Sequence, residues 1–85
     1  MSAEPHEIRL KRLRIRSWRR GMKEMDLLLG PFSDGPIAAL SHAELDAYEA
    51  LLEENDQDLY RWFSGASPMP DDHAAIIARI QKSRN

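Results

Sequence analysis

The chain contains no cysteine and no threonine. Without cysteine there can be no disulfide framework, no thiolate nucleophile and no Cys-based zinc site. The missing threonine leaves serine to carry hydroxyl-based covalent catalysis, and Ser41, Ser64 and Ser67 fall where helix caps and turns want them. Long apolar runs are also missing. A membrane-spanning helix needs ~18–20 apolar residues, whereas blocks such as Leu27-Leu28-Leu29 are only a few residues long. The N-terminal residues are charged and lack the apolar stretch of a signal peptide. Alternating β patterns of useful length, internal repeats and low-complexity segments are absent as well.

The glycines do not form a phosphate-binding pattern. His6, His42 and His73 are scattered, without a pair at ligand spacing, so no metal site is expected. Small secreted domains usually need disulfide staples. Their absence, with Glu4 and Glu7 in place of a basic presequence, points to a reducing interior. The expected home is a bacterial cytoplasm, or the mitochondrial matrix if the source is eukaryotic.

What remains is an 85-residue chain, 42% hydrophobic and 31% charged. That suits one globular domain with a small core and much surface, without room for a deep substrate cavity. Its net charge of −2 conceals an asymmetry. Residues 1–23 carry eight basic side chains and two acids; residues 24–85 carry four basic side chains and twelve acids. Such polarity suggests oriented docking.

The pattern predicts a loose tail over 1–6, then an all-α domain over 7–85, a compact bundle of four to five short helices. The first helix, from Glu7 to about Arg19, places Ile8, Ile15, Trp18 and Met22 on one apolar side, with arginines filling the rest. Gly21 interrupts it, as a glycine able to turn left-handed commonly does. A second segment from Met22 or Lys23 to Leu29 has Met25, Leu28 and Leu29 as its apolar edge. Gly30-Pro31 and Asp34-Gly35-Pro36 read as breakers, with Phe32 plugging the core between them. Ser41 and Glu44 fit a capping box, and Leu40 and Leu45 a hydrophobic staple. Leu45, Tyr48, Leu51 and Leu52 are the buried stripe of that helix, with Glu49, Glu53 and Glu54 toward water. Asn55 or Asp56 caps a short helix with Leu59, Trp62 and Phe63 on one face, ended by Ser64-Gly65. Asp71 or Asp72 caps a last helix with Ile76, Ile77 and Ile80 inward.

Two features carry functional readings. The basic first helix could lie along nucleic-acid phosphates, although the acidic remainder opposes this, or its arginines could form a solvated face whose stems cover apolar surface. The bend Arg19-Arg20-Gly21-Met22-Lys23-Glu24 gathers opposite charges around a glycine. It reads either as an ordinary helix end with a local Arg–Glu pair or as a docking site where a foreign backbone can come close.

The bend resembles the Arg-Gly-x-x-Glu motif of the succinate dehydrogenase flavinylation factors, bacterial and mitochondrial, here Arg20-Gly21-Met22-Lys23-Glu24 followed by Met25-Asp26-Leu27-Leu28-Leu29. Asp58-Leu59-Tyr60-Arg61-Trp62 resembles the family's second motif, and the Pro-containing loop before the last helix also fits. The resemblance spans about residues 8–82. It implies a non-enzymatic assembly factor that binds the flavoprotein subunit of succinate dehydrogenase or fumarate reductase and promotes covalent attachment of FAD. The flavin would be carried by that partner, not by this chain. Arg20, Gly21 and Glu24 match the interaction motif position by position. Met22 and Asp26 lie beside them, and Arg16, one turn earlier, completes the candidate partner-binding set. Tyr60 and Trp62 match the second motif, where an aromatic pair more often serves a core.

Overall fold

In the computed structural model, which describes residues 4–84, five α-helices follow one another: α1 (His6–Trp18), α2 (Lys23–Asp34), α3 (His42–Leu52), α4 (Asp56–Ser64) and α5 (Asp71–Ser83). A 3-10 turn, Pro36–Ala39, joins α2 to α3. No strand occurs among the described residues, so the all-α expectation holds. Of the tail expected over 1–6, residues 1–3 lie outside the described residues. Glu4 accepts two hydrogen bonds from the Arg12 guanidinium, at 2.9 Å each, and α1 already begins at His6.

Local chemistry sets most helix ends. Ser41 Oγ accepts the Glu44 N–H at 3.1 Å, and Glu44 Oε1 accepts the Ser41 N–H at 2.8 Å, closing the capping box that starts α3. Leu40 and Leu45, at the staple positions, are both buried. Asn55 caps α4, its side chain accepting the Asp58 N–H at 2.9 Å. Gly65 ends that helix with φ 83°, a left-handed conformation that costs glycine nothing. Neither Asp71 nor Asp72 caps α5. Pro70 occupies the cap position, and the two aspartates sit in the first turn, where the helix dipole favours negative charge.

Two expectations are corrected by packing. The second helix does not stop at Leu29 but runs through Gly30-Pro31 to Asp34. An interior proline forfeits a backbone hydrogen bond and strains the preceding turn at a cost of about 3 kcal/mol. Continuing the helix buries Phe32 in the core and lets Ser33 Oγ donate to the Gly30 carbonyl at 2.6 Å. Gly30 has a separate reason to lack a side chain. The Trp18 indole lies across it, and a Cβ there would meet ring carbons at 2.4–2.6 Å. The Trp18 Nε1–H donates to Asp34 Oδ1 at 2.9 Å, fixing the ring in place. The Trp18–Gly30 and Arg14–Asp34 contacts show α1 and α2 packing as an antiparallel hairpin.

The second correction concerns α1. Its inward residues are Leu13 and Ser17, with Leu10 packed against the core, whereas Ile8, Ile15 and Trp18 are 49%, 57% and 37% exposed. Met22, placed on the same side, does pack against the core. Ser17 can be buried because both its capacities are used. Its hydroxyl donates to the Leu13 carbonyl at 2.7 Å and shares a 2.6 Å hydrogen bond with the Tyr48 hydroxyl. Burial pushes the Tyr48 phenol up to about 12. Around this pair Met25, Leu29, Leu45, Leu51, Leu59, Ile77 and Ile80 are fully buried, with Trp62 and Phe63 against the rim of the core.

Replacing Gly30 with alanine separates two effects of opposite sign. Helix propensity alone predicts a gain of about 1 kcal/mol, but displacement of the Trp18 ring should give a net loss of about 1–2 kcal/mol. Urea unfolding followed by tryptophan emission measures the sign, and a stabilised Gly30→Ala protein would contradict the packing described.

Candidate functional site

The bend between α1 and α2 spans residues 19–22, and Arg20 determines its shape. Its side chain turns inward. Nε donates to Asp56 Oδ1 at 2.7 Å, Nη1 to the Leu52 carbonyl at 2.7 Å and Nη2 to the Glu54 carbonyl at 2.6 Å. The Arg20 and Asp56 side chains are only 11% and 16% exposed. The other Asp56 oxygen accepts the Gly21 N–H at 2.6 Å, and Asp26 Oδ1 accepts the Arg20 N–H at 2.8 Å. One guanidinium thus ties the α1–α2 bend to the α3–α4 junction. That junction is held from its far side too, where His73 Nε2 meets Glu54 Oε2 at 2.8 Å.

The six candidate residues therefore divide. Arg20 and Asp26 are committed inside the molecule. Arg16 pairs with Glu53 at 2.8 Å and reaches Glu49 at 4.0 Å. Met22 is half-buried against the core. Gly21 and Glu24 face outward. Glu24 has no ion-pair partner among the described residues, so the local Arg–Glu pair considered for this bend does not form. Gly21 is not left-handed, since Gly65 alone among the described glycines has positive φ. A Cβ on Gly21 would meet Asp56 Oδ2 at 3.4 Å, an ordinary contact. In the second motif Leu59 is fully buried and Trp62 half-buried, while Tyr60 is 44% exposed. Asp56 is the residue of this bend that the sequence does not reveal: it reads there as a helix cap, and no local spacing links it to Arg20.

The arginines of α1 are mostly spent on carboxylates. Arg9 bonds Asp46 at 2.6 Å and Glu49 at 3.1 Å, Arg12 bonds Glu49 at 2.7 Å, and Arg14 bonds Asp34 at 2.7 Å. The Arg9–Asp46, Arg12–Glu49 and Arg16–Glu53 pairs advance together along α1 and α3, which run in the same direction. Glu49, expected to face water, is the shared acceptor of this zipper. The Arg12 hydrogen bond holds its carboxyl below the usual glutamate range. Lys11, Arg19 and Lys23 meet no carboxylate among the described residues. A phosphate-tracking helix needs a row of free cations, and of the Lys and Arg side chains within α1 only Lys11 is unpaired among the described residues, so the nucleic-acid reading loses its main support.

No group of three or more His, Asp or Glu side chains suited to a metal ion occurs among the described residues. No described helix is long and apolar enough to cross a membrane. A polar surface recess of about 430 Å³ is lined by Glu4, His6, Arg9, Arg12, His42, Asp46 and Glu49. Its arginines are already neutralised. The fold and site thus define a small helical protein whose charged α1–α2 bend is tied to the α3–α4 junction.

Comparison with known proteins places the chain in a family described as flavinator of succinate dehydrogenase, whose profile matches residues 11–84. The chain belongs to that family. It is 36% identical over 86 residues to the mitochondrial succinate dehydrogenase assembly factor 2 of Meyerozyma guilliermondii, covering 95% of this chain and 64% of that protein. It is 41% identical over 71 residues to the protein of the same name from Scheffersomyces stipitis, covering 80% and 48%. It is 36% identical over 81 residues to mitochondrial assembly factor 2-A of Drosophila yakuba, covering 93% and 50%. The chain spans between 48% and 64% of the length of these relatives.

The two motif charges should separate in stability measurements. Arg20→Ala removes the donor to Asp56 Oδ1 and to two carbonyls and should cost about 3 kcal/mol. Glu24→Ala touches nothing and should stay within about 0.5 kcal/mol. Equal losses in urea unfolding would refute this division.

A pH series tests the zipper. The Glu49 carboxyl is lowered in the fold, so its contribution is full above the ordinary value of 4.5 and is lost as pH falls through the lowered folded value. Glu4, Asp34 and Glu44 are shifted the same way. The melting temperature should fall progressively in the acid range, and Glu49→Gln should flatten that dependence. An unchanged slope in the variant would remove Glu49 as the hub.

Proposed function

We propose that this protein is a non-catalytic assembly factor that binds the flavoprotein subunit of succinate dehydrogenase, or of fumarate reductase, and promotes covalent attachment of FAD to a histidine of that subunit. The observation that carries the reading is the family match over residues 11–84, with the Arg20-Gly21-x-x-Glu24 bend inside it. The bend suits the role. Arg20, Asp26 and Asp56 hold its backbone, Glu24 stands outward as a free carboxylate, and Gly21 leaves space for a partner's backbone.

The flavin chemistry belongs to the cofactor, and a helper need only hold the client in the geometry that favours attachment. FAD stays with the client on this reading, because the arginines of the 430 Å³ recess are spent on carboxylates and offer no charge to a diphosphate. The protein would act where the client subunit folds. We take that to be the bacterial cytoplasm, or the mitochondrial matrix in a eukaryote.

The test is to mix the purified protein with the apo flavoprotein subunit and FAD, and to read covalent flavin by fluorescence of the denatured subunit in a gel. Labelling should be faster or more complete with the wild type. Glu24→Ala and Gly21→Arg should remove the gain and weaken binding about tenfold or more, which is ~1.4 kcal/mol or more, while circular dichroism shows an intact helical fold. No acceleration and no complex on a sizing column, with either flavoprotein, would sink the proposal.

A further inference from the structure

The outward side of α1 is an apolar surface that the fold leaves uncovered. Ile8, Ile15 and Trp18 lie along one stripe and are 49%, 57% and 37% exposed. Around the last two is a shallow recess of about 330 Å³, lined by Lys11, Arg14, Ile15, Trp18 and Arg19. The recess is preformed, because the Trp18 indole lies on Gly30 and its Nε1–H is bonded to Asp34. An aromatic already held in place loses little freedom on binding, and Trp and Arg are the side chains most enriched at the energetic centres of interfaces.

The charge around this surface selects its occupant. Arg14 is neutralised by Asp34. Lys11 and Arg19 have no carboxylate among the described residues, although the chain as a whole carries a net charge of −2. A second copy of the chain, meeting this face about a two-fold axis, would set these cations against their own counterparts. A phosphate backbone would use the cations but would leave Ile15 and the indole face unmatched. The surface fits a protein segment whose apolar side chain is flanked by carboxylates. Arg19 and Trp18 lead directly into the bend, so the face is continuous with the proposed docking site.

We propose that the Ile15–Trp18 face of α1, with Lys11 and Arg19 at its edges, is the apolar half of the client-docking surface and seats an acid-flanked apolar segment of the flavoprotein subunit. This rests on the assembly-factor reading and adds a second contact region to it.

The experiment measures binding of the full chain to the apo flavoprotein subunit of succinate dehydrogenase by titration calorimetry, at low and at high salt. The variants are Ile15→Glu, which lies outside the core, and the double reversal Lys11→Glu with Arg19→Glu. Circular dichroism checks folding. Ile15→Glu should weaken binding at least tenfold at both salts. The double reversal should weaken it mainly at low salt and flatten the salt dependence. If both bind within twofold of wild type while Glu24→Ala loses binding, this inference is overturned and the assembly-factor reading stands. If wild type forms no complex with this subunit or with the fumarate reductase flavoprotein, both fall. A concentration-dependent dimer of the free chain abolished by Ile15→Glu would overturn it in favour of a second copy. Retardation of a DNA duplex abolished by the double reversal would overturn it in favour of nucleic acid.

Discussion

The guanidinium of Arg20 is the contact on which the rest of the arrangement depends. The last turn of α3 contains no basic residue of its own, so the carbonyls at its end need donors from elsewhere. Arg20 supplies them to Leu52 and Glu54 and adds positive charge at the negative end of the helix dipole. Asp56, at the start of α4, neutralises the guanidinium and also receives the Gly21 N–H. Helix α3 therefore cannot end, α4 begin and the α1–α2 bend turn independently. A nearly buried ion pair with so many hydrogen bonds adds less net stability than it adds uniqueness, because every alternative register leaves a charge without its partner.

The same logic sorts the other charges. Read along the chain, the basic first quarter and acidic remainder look like a dipole awaiting an external partner. In the fold the two are pressed together. Arg9, Arg12 and Arg16 meet Asp46, Glu49 and Glu53 across α1 and α3. Most of the cationic charge is therefore consumed in holding helices side by side. Among the described residues Lys11, Arg19, Lys23 and Glu24 are left without an ion-pair partner, the last three on or beside the bend, and so are Glu7, Asp71, Asp72, Lys82 and Arg84 away from it. The surface available for recognition is defined by which charges the fold does not need.

Elements whose signals are local were readable in the sequence. The capping box at Ser41–Glu44, the Leu45-Tyr48-Leu51-Leu52 stripe and the Gly65 stop each depend on residues within one or two turns. Signals failed where a distant partner decides. Helical periodicity finds an apolar side of α1 in Ile8, Ile15 and Trp18, but it cannot say which side the other helices will cover. Tyr48 chose the opposite one by bonding Ser17. Gly30-Pro31 reads as a break because the indole that requires the glycine is twelve positions earlier in the chain. Arg20 reads as a surface charge because Asp56 is 36 residues away.

The glycines show how far the fold alone explains the site. Gly65 is required by its left-handed backbone, and Gly30 by the indole lying on it. Gly35 is unconstrained by neighbours and simply closes α2 before Pro36. Gly21 has neither constraint: its φ is not positive, and an added Cβ would make only an ordinary contact with Asp56. Its N–H bond to Asp56 could be made by any residue other than proline. The fold would accept alanine at this position, so neither the backbone nor the packing of this chain requires glycine there. That is what a docking site predicts. On the docking proposal, a bend held by Arg20 and bare at Gly21 would let a partner's backbone reach the surface, with Glu24 beside it to accept hydrogen bonds.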